Sequence, residues 1–253
     1  MLVSITEKCS MGCNHCMSSC KPDGQHMTKQ TLIAVCNFLI NCNAADHFVL
    51  TGGEPTEHPD FLEMIDIIFE KFGKTGQEHL MTITTNGFWC LEHIEEAKKI
   101  AKGTNNLKVF WQVSTDSRFY PKELPLTKRL WREPGFTLCP DCVEYVYPQG
   151  RARDNNLEWS AKASKCFNVR AITKQLPNPT IENIVKTLLN RMKFCTPSIS
   201  IDGKIKLGES CLCPAVASIY DDEAYIIQKI KDFKCHGCDM INDNLPDLYK
   251  RFL

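Results

Sequence analysis

The densest chemistry in the chain lies near its start, in Cys9-Ser10-Met11-Gly12-Cys13-Asn14-His15-Cys16. Three thiols separated by three and then two residues can curl around one iron–sulfur cube, and Gly12 lets the backbone turn tightly beneath it. Three thiolates on a four-iron cube leave one iron without a protein ligand. An open metal position is a place for substrate or cofactor, just as three-ligand zinc sites are catalytic and four-ligand ones structural. The competing chemistry is a zinc knuckle, but those pair two short Cys-x-x-Cys clips, and the wider first gap fits that pattern poorly.

The elements that must position this loop are legible from apolar runs. Leu2-Val3-Ser4-Ile5 leads directly into it, and further strands are expected at His47-Phe48-Val49-Leu50, at about 80–84, from Leu107 and at 143–147. Thr51-Gly52-Gly53-Glu54-Pro55, Thr85-Asn86-Gly87 and Ser114-Thr115-Asp116 follow the second, third and fourth runs. In a parallel βα barrel these strand ends all lie on one face, where active sites are built. Gly52 and Gly53 there expose backbone groups to a close-approaching ligand, and the Glu54 carboxylate can receive an ammonium group. Of Trp111 and Gln112, neighbours on one strand, one must face the lumen.

Helices are expected from a Thr28 cap to about Asn43, from a capping-box-like Asp60 and Glu63 to about Phe72, and from Leu91 to about Ala101. Two more run from Pro179-Thr180 to about Phe194 and from about Asp222 to Phe233. Residues 117–132, broken by prolines and charges, read as a long loop able to cover the site, with Tyr120 and Trp131 as substrate contacts or hinge packing. Cys139-Pro-Asp-Cys142 is a Cys-x-x-Cys clip compatible with a redox pair, half a zinc site or two cluster ligands.

A chain of 253 residues with 43% hydrophobic content can form a barrel with a small appended domain. Its formal net charge of zero, without an arginine stripe or lysine run, gives no reason to expect nucleic acid or an anionic membrane as partner. No apolar run suits a membrane span, and the N-terminus shows no basic-then-apolar leader. Fifteen cysteines in such a chain therefore suggest metal binding in a reducing cytoplasm rather than disulfides. Cys36, Cys42 and Cys90 fall in or beside expected helices and read as packing residues, and Cys20 as a bystander one turn from the cysteine loop.

The three-cysteine loop after the first strand, with Gly-Gly-Glu-Pro one βα unit later, resembles the radical S-adenosylmethionine (radical SAM) superfamily. The resemblance implies an α/β fold: a partial (β/α)6 barrel spanning 1–152, its last strand reaching to about 172 or falling at 196–201. A small cysteine-rich α+β module would occupy 173–253. It implies a 4Fe–4S cluster on Cys9, Cys13 and Cys16, with SAM chelating the open iron. Gly52, Gly53, Glu54, Asn86, Ser114 and Asp116 would position SAM. Pro148-Gln-Gly-Arg-Ala152 is similar to a stretch near the barrel end of family members with SPASM or twitch extensions, where Gly150 would allow backbone approach to adenine and Arg151 would offer planar donors to a carboxylate. The family usually has an aromatic residue just before the third cysteine, and His15, also flat, stands there.

Near the C-terminus the order is Cys195, an expected hairpin turning at Asp202-Gly203, Cys211-Leu-Cys213, a helix, and Cys235-His-Gly-Cys238. This resembles the SPASM/twitch module and implies an auxiliary 4Fe–4S cluster on Cys195, Cys211 or Cys213, Cys235 and Cys238, with zinc as the alternative. The implied activity is one-electron cleavage of SAM to a 5′-deoxyadenosyl radical that takes a hydrogen atom from substrate, with flavodoxin or ferredoxin as electron donor. A peptide side chain is the first substrate expectation, and a small molecule such as a nucleotide or cofactor precursor the alternative. A non-catalytic iron–sulfur or zinc protein is the reading from another class.

Overall fold

The computed structural model describes residues 1–44, 46–114, 119–121, 130–139, 150–157, 180–191, 197–208 and 214–233, without the side chains of Trp131, Cys139 and 187–191. In chain order the elements begin with β1 (Leu2–Thr6), α1 (Lys29–Asn41), β2 (His47–Gly52), α2 (Phe61–Gly73) and β3 (His79–Thr85). α3 (Phe88–Glu92), α4 (Ile94–Ala101), β4 (Leu107–Ser114), β5 (Phe136–Cys139) and α5 (Gly150–Asp154) follow. α6 (Ile181–Arg191), β6 (Ser198–Ile199), β7 (Lys204–Lys206), β8 (Ala215–Ser218) and α7 (Glu223–Asp232) complete the described chain.

All eight strands join one sheet in the order β5-β4-β3-β2-β1-β6-β7-β8. The first five are parallel in sequence order, and β6 adds a sixth parallel strand on the far side of β1, Leu2 pairing with Ser198. β7 and β8 extend that edge antiparallel. The mostly parallel α/β architecture expected for a six-stranded partial barrel is therefore present. The segment expected as an appended module begins within the same sheet, where it covers the edge of β1 that successive βα units leave open.

Strand alternation sorts the two faces. Phe48 stacks on Phe72 of α2, and Trp111 donates Nε1 to the Ala97 carbonyl of α4 at 2.9 Å, so the helices cover the face bearing Val3, Ile5, Leu50, Met81 and Ile83. The other face carries Ser4, Thr51, Thr82, Thr84 and Gln112, all half-buried. Gln112 is thus the lumen-side neighbour, while Trp111 is fully enclosed among Phe61, Trp89 and Phe136.

Two expectations are corrected, and one strand is added. The helix expected over 91–101 is two, because His93 leaves helical geometry at φ −122°, ψ 49° between α3 and α4. Asp60 makes no capping bond; its carboxylate and that of Glu63 pair instead with Lys29 of α1. A strand lies at Phe136–Cys139, ahead of 143–147, which falls outside the described residues; the Gly135 carbonyl accepts the Trp111 N–H at 2.8 Å, and Phe136 stacks on the indole. Other expectations match: Thr28 caps α1 by accepting from Thr31 N, and Asp222 caps α7 through Tyr225 N at 2.8 Å. β6 and β7 form the expected hairpin.

Trp111→Phe removes both the buried indole bond and ring volume. It is expected to cost about 2 kcal/mol in urea unfolding. A change below about 0.5 kcal/mol would show that the indole does not anchor the sheet to α4.

Candidate active site

The cysteine loop leaves β1 with few hydrogen bonds of its own. Within it, Cys16 N donates to Cys13 O at 3.2 Å, and the other bonds reach outward. Cys9 N donates to Lys21 O at 2.9 Å and Asn14 N to Phe119 O at 2.8 Å. Glu57, on the turn Pro55–Glu57, accepts the Ser10 N–H with both carboxylate oxygens, at 3.0 and 3.1 Å, and the Ser10 hydroxyl at 2.7 Å. Met11 and Cys13 are buried with Cys9, Cys16, Phe88 and Tyr120 packed around them, so the three thiols share one enclosure. His15 lies with its ring centroid 5.2 Å from those of both Phe119 and Tyr120.

The Gly-Gly turn is stitched to the same loop. Gly53 N donates to Thr6 O at 2.7 Å and Glu54 N to Lys8 O at 2.8 Å. A Cβ on Gly52 would lie 2.2 Å from Thr6 O, and its φ of +131° is unfavourable for any residue with a side chain, so this close approach requires glycine. Glu54 is buried, and its carboxylate is committed within the chain. Oε1 accepts from Thr56 N, Thr56 Oγ1 and Thr85 Oγ1, and Oε2 from Asn86 N at 2.7 Å. Four donors fill most of a carboxylate's acceptor sites. The ammonium partner expected for Glu54 therefore meets a carboxylate already acting as a strut between the turn and the end of β3. Burial raises the Glu54 pKa despite those donors. Asn86 accepts the Phe88 N–H through Oδ1 at 3.1 Å, which starts α3.

The third fastening arrives from α5. Arg151 donates Nε to Cys13 O at 2.8 Å, Nη1 to Cys20 O at 2.6 Å and its backbone N–H to Cys16 O at 2.9 Å, while Asn155 Nδ2 reaches Asn14 O at 3.0 Å. A Cβ on Gly150 would sit 2.5 Å from Met17 O, and φ there is +54°. Sequence analysis gave Gly150 to adenine and the Arg151 fork to a carboxylate; the structure commits the glycine's close approach and two of the fork's nitrogens to the cysteine loop.

Burial raises Cys9 to about 11 and Cys13 to about 12, with neighbouring thiols adding repulsion at Cys13 and Arg151 opposing it. Cys16 is lowered to about 5, first by a hydrogen bond from the Cys20 thiol, whose own pKa rises in return. Cys20 thus supports Cys16. Cys36 and Cys90 are buried packing thiols, Cys42 is half-buried against the core, and none of the cysteines with described side chains forms a disulfide.

Among the described residues no three His, Cys, Asp or Glu side chains converge on a single ion. Cys9, Cys13 and Cys16 line one enclosure, a soft-donor set of the kind that binds an iron–sulfur cluster or zinc.

A cavity of about 290 Å³ lies between loop and turn, lined by Met11, Glu54, Glu57, Asn86, Phe88 and Trp89. A smaller one, about 70 Å³, lies beside Ser4, Cys20, Gly52, Ser200 and Lys206. Ser114 is buried at the end of β4. Asp116, Cys142, Cys195, Cys211, Cys213, Cys235 and Cys238 lie outside the described residues. Sequence analysis missed Glu57 and Thr85; the one signal for Glu57 was its place three residues after Glu54, on the same turn.

Residues 3–117 match the radical SAM superfamily. The GTP 3',8-cyclase of Rhizobium leguminosarum bv. trifolii is 30% identical over 97 residues, 37% of this chain and 27% of that protein. That of Haemophilus ducreyi is 33% identical over 93 residues, 34% of this chain and 25% of that protein. The matches thus span about a quarter of the length of these curated relatives. Among solved structures, BtrN in complex with AdoMet and 2-DOIA aligns over 92% of this chain and 83% of its own, with a TM-score of 0.53 at 12% identity, a likeness of fold. No helix among the described residues is long and apolar enough to cross a membrane.

Glu54→Gln replaces one acceptor with a donor among four donors and is expected to cost about 2 kcal/mol. Folding raises the Glu54 pKa above 4.5, so its stabilising contribution is full below that value and is lost as pH rises through the higher folded value. The wild-type stability advantage over Glu54→Gln should shrink with rising pH above 4.5. Urea midpoints measured as a pH series check this, and an advantage that grows with pH would contradict it.

Proposed function

We propose that this chain, whose residues 3–117 form a radical SAM superfamily domain, is an enzyme that holds a 4Fe–4S cluster on Cys9, Cys13 and Cys16 and acts on a small polar molecule. The observation that carries this reading is the enclosure of three thiols on a loop fastened by the Gly-Gly turn, Glu57 and Arg151. When bound, the cluster and SAM supply an electron and a 5′-deoxyadenosyl radical that takes a hydrogen atom from substrate. The chain's own residues hold the backbone of the loop that carries the three thiols and shape the adjoining cavities. Gly52, Gly53, Asn86 and Ser114 belong to the strand-end face against which SAM would lie, with Glu54 holding the turn in shape; Asp116, outside the described residues, joins them on the sequence reading alone.

The substrate class is supported from two sides. The curated relatives matched over this domain are GTP 3',8-cyclases, which act on a nucleotide, and this favours a small molecule over the peptide first expected. The sheet face opposite α2 and α4, with Ser4, Thr51, Thr82, Thr84 and Gln112, offers hydroxyls and an amide, a lining suited to a polar ligand. The reading also includes an auxiliary cluster, or zinc, at Cys195, Cys211 or Cys213, Cys235 and Cys238, and flavodoxin or ferredoxin as electron donor.

Anaerobic reconstitution followed by iron, sulfide and zinc analysis is expected to find about four irons per chain for one cluster and about eight for two. Dithionite and SAM should then yield 5′-deoxyadenosine, and Cys13→Ala should reduce the yield to background while circular dichroism stays unchanged. GTP and related small molecules should raise the yield more than peptides do. Zinc without iron, or iron without SAM cleavage, contradicts the enzyme reading; stimulation by peptides alone contradicts the substrate class.

A further inference from the structure

Arg151 grips a loop 131 to 138 positions away in sequence, yet one of its side-chain nitrogens is unspent. Nε and Nη1 are taken by Cys13 O and Cys20 O, whereas Nη2 is buried without a hydrogen-bond partner. Among the described residues no carboxylate pairs with this guanidinium, although Arg153, two positions on, pairs with Asp154 at 2.9 Å. A buried guanidinium nitrogen with neither counter-charge nor hydrogen-bond partner is costly, and such an orphan marks a group that belongs beside it. Among the described residues, the thiols of Cys13 and Cys16 can supply negative charge nearby, and both feel the Arg151 charge. A cluster held by three thiolates is anionic, and more so once reduced.

We propose that Arg151 is a positioning residue and counter-ion for the cluster: its fork holds the carbonyls of the Cys13–Cys20 loop in place, and Nη2 with its positive charge faces the anionic cluster and favours the reduced state. This rests on the cluster reading above. It gives a charge-assisted role to a residue that no spacing in the cysteine motif reveals, and the planar fork explains why arginine rather than lysine occupies the position.

The test uses the full chain, reconstituted anaerobically, as wild type, Arg151→Gln and Arg151→Lys. Redox titration followed by electron paramagnetic resonance, in the absence of SAM, is expected to show the reduced-to-oxidised ratio of Arg151→Gln falling about tenfold at a fixed potential, ~59 mV for one electron. Arg151→Lys, which keeps the charge, should recover most of that ratio, while both variants lose iron to a chelator faster than wild type because the fork is gone. Equal potentials in wild type and a fully loaded Arg151→Gln overturn the proposal, as does a difference seen only when SAM is added, which would assign Nη2 to SAM. Should Arg151→Gln hold no iron, Arg151→Lys decides: a ratio within threefold of wild type supports the counter-ion role, and a tenfold fall overturns it. A wild type that takes up iron and cleaves SAM but ignores these substitutions sinks only this proposal; a wild type without iron sinks the cluster reading as well.

Discussion

The structure depends on holding an irregular loop in one shape. Residues 9–16 form no helix or strand, and an unsupported loop of this kind would sample many conformations at a cost of about 1–2 kcal/mol per ordered residue. The loop's backbone groups are therefore bonded to parts of the chain far away in sequence: Thr6 and Lys8 to the Gly-Gly turn, Ser10 to Glu57, Asn14 to Phe119 and Asn155, and Cys13, Cys16 and Cys20 to Arg151. Because these partners come from the turn after β2, from Phe119 and from α5 with the residue after it, the loop is held in this shape only when the chain around it is folded. Fold and site are one cooperative object.

This changes what the polar motif residues do. Glycines that look open to a ligand are open to the chain itself: Gly52 fits over Thr6 and Gly150 over Met17. Glu54 is buried and surrounded by four donors, and Arg151 is clamped on two carbonyls. Groups of this kind are expensive to bury unless satisfied, so each fixes the local geometry sharply. Rigid support beneath the loop is what allows a site to hold a cofactor at a defined distance from a substrate.

The sheet was legible because each of the first four strands is an apolar run ending in a glycine or short polar residue, and α1 because Thr28 marks its start. Phe136–Cys139 was hidden because only four residues long and next to a run of charges; its place is decided by stacking on Trp111, a contact across 25 positions of sequence. The break at His93 escaped notice because apolar periodicity continues through it. At the site, the cysteine spacing named the thiols, but the roles of Glu54, Glu57 and Arg151 depend on which carbonyls and amides reach them after folding. Residue type gives a donor count; only the fold says where the donors are spent.

The central claim is that the enclosure at Cys9, Cys13 and Cys16 holds a cluster with one iron left for an exchangeable ligand. Electron paramagnetic resonance of the anaerobically reconstituted, dithionite-reduced chain, recorded before and after SAM is added, tests it most directly. The account predicts a reduced 4Fe–4S signal whose shape changes when SAM binds. A signal indifferent to SAM, or no cluster signal from iron-loaded protein, would contradict it.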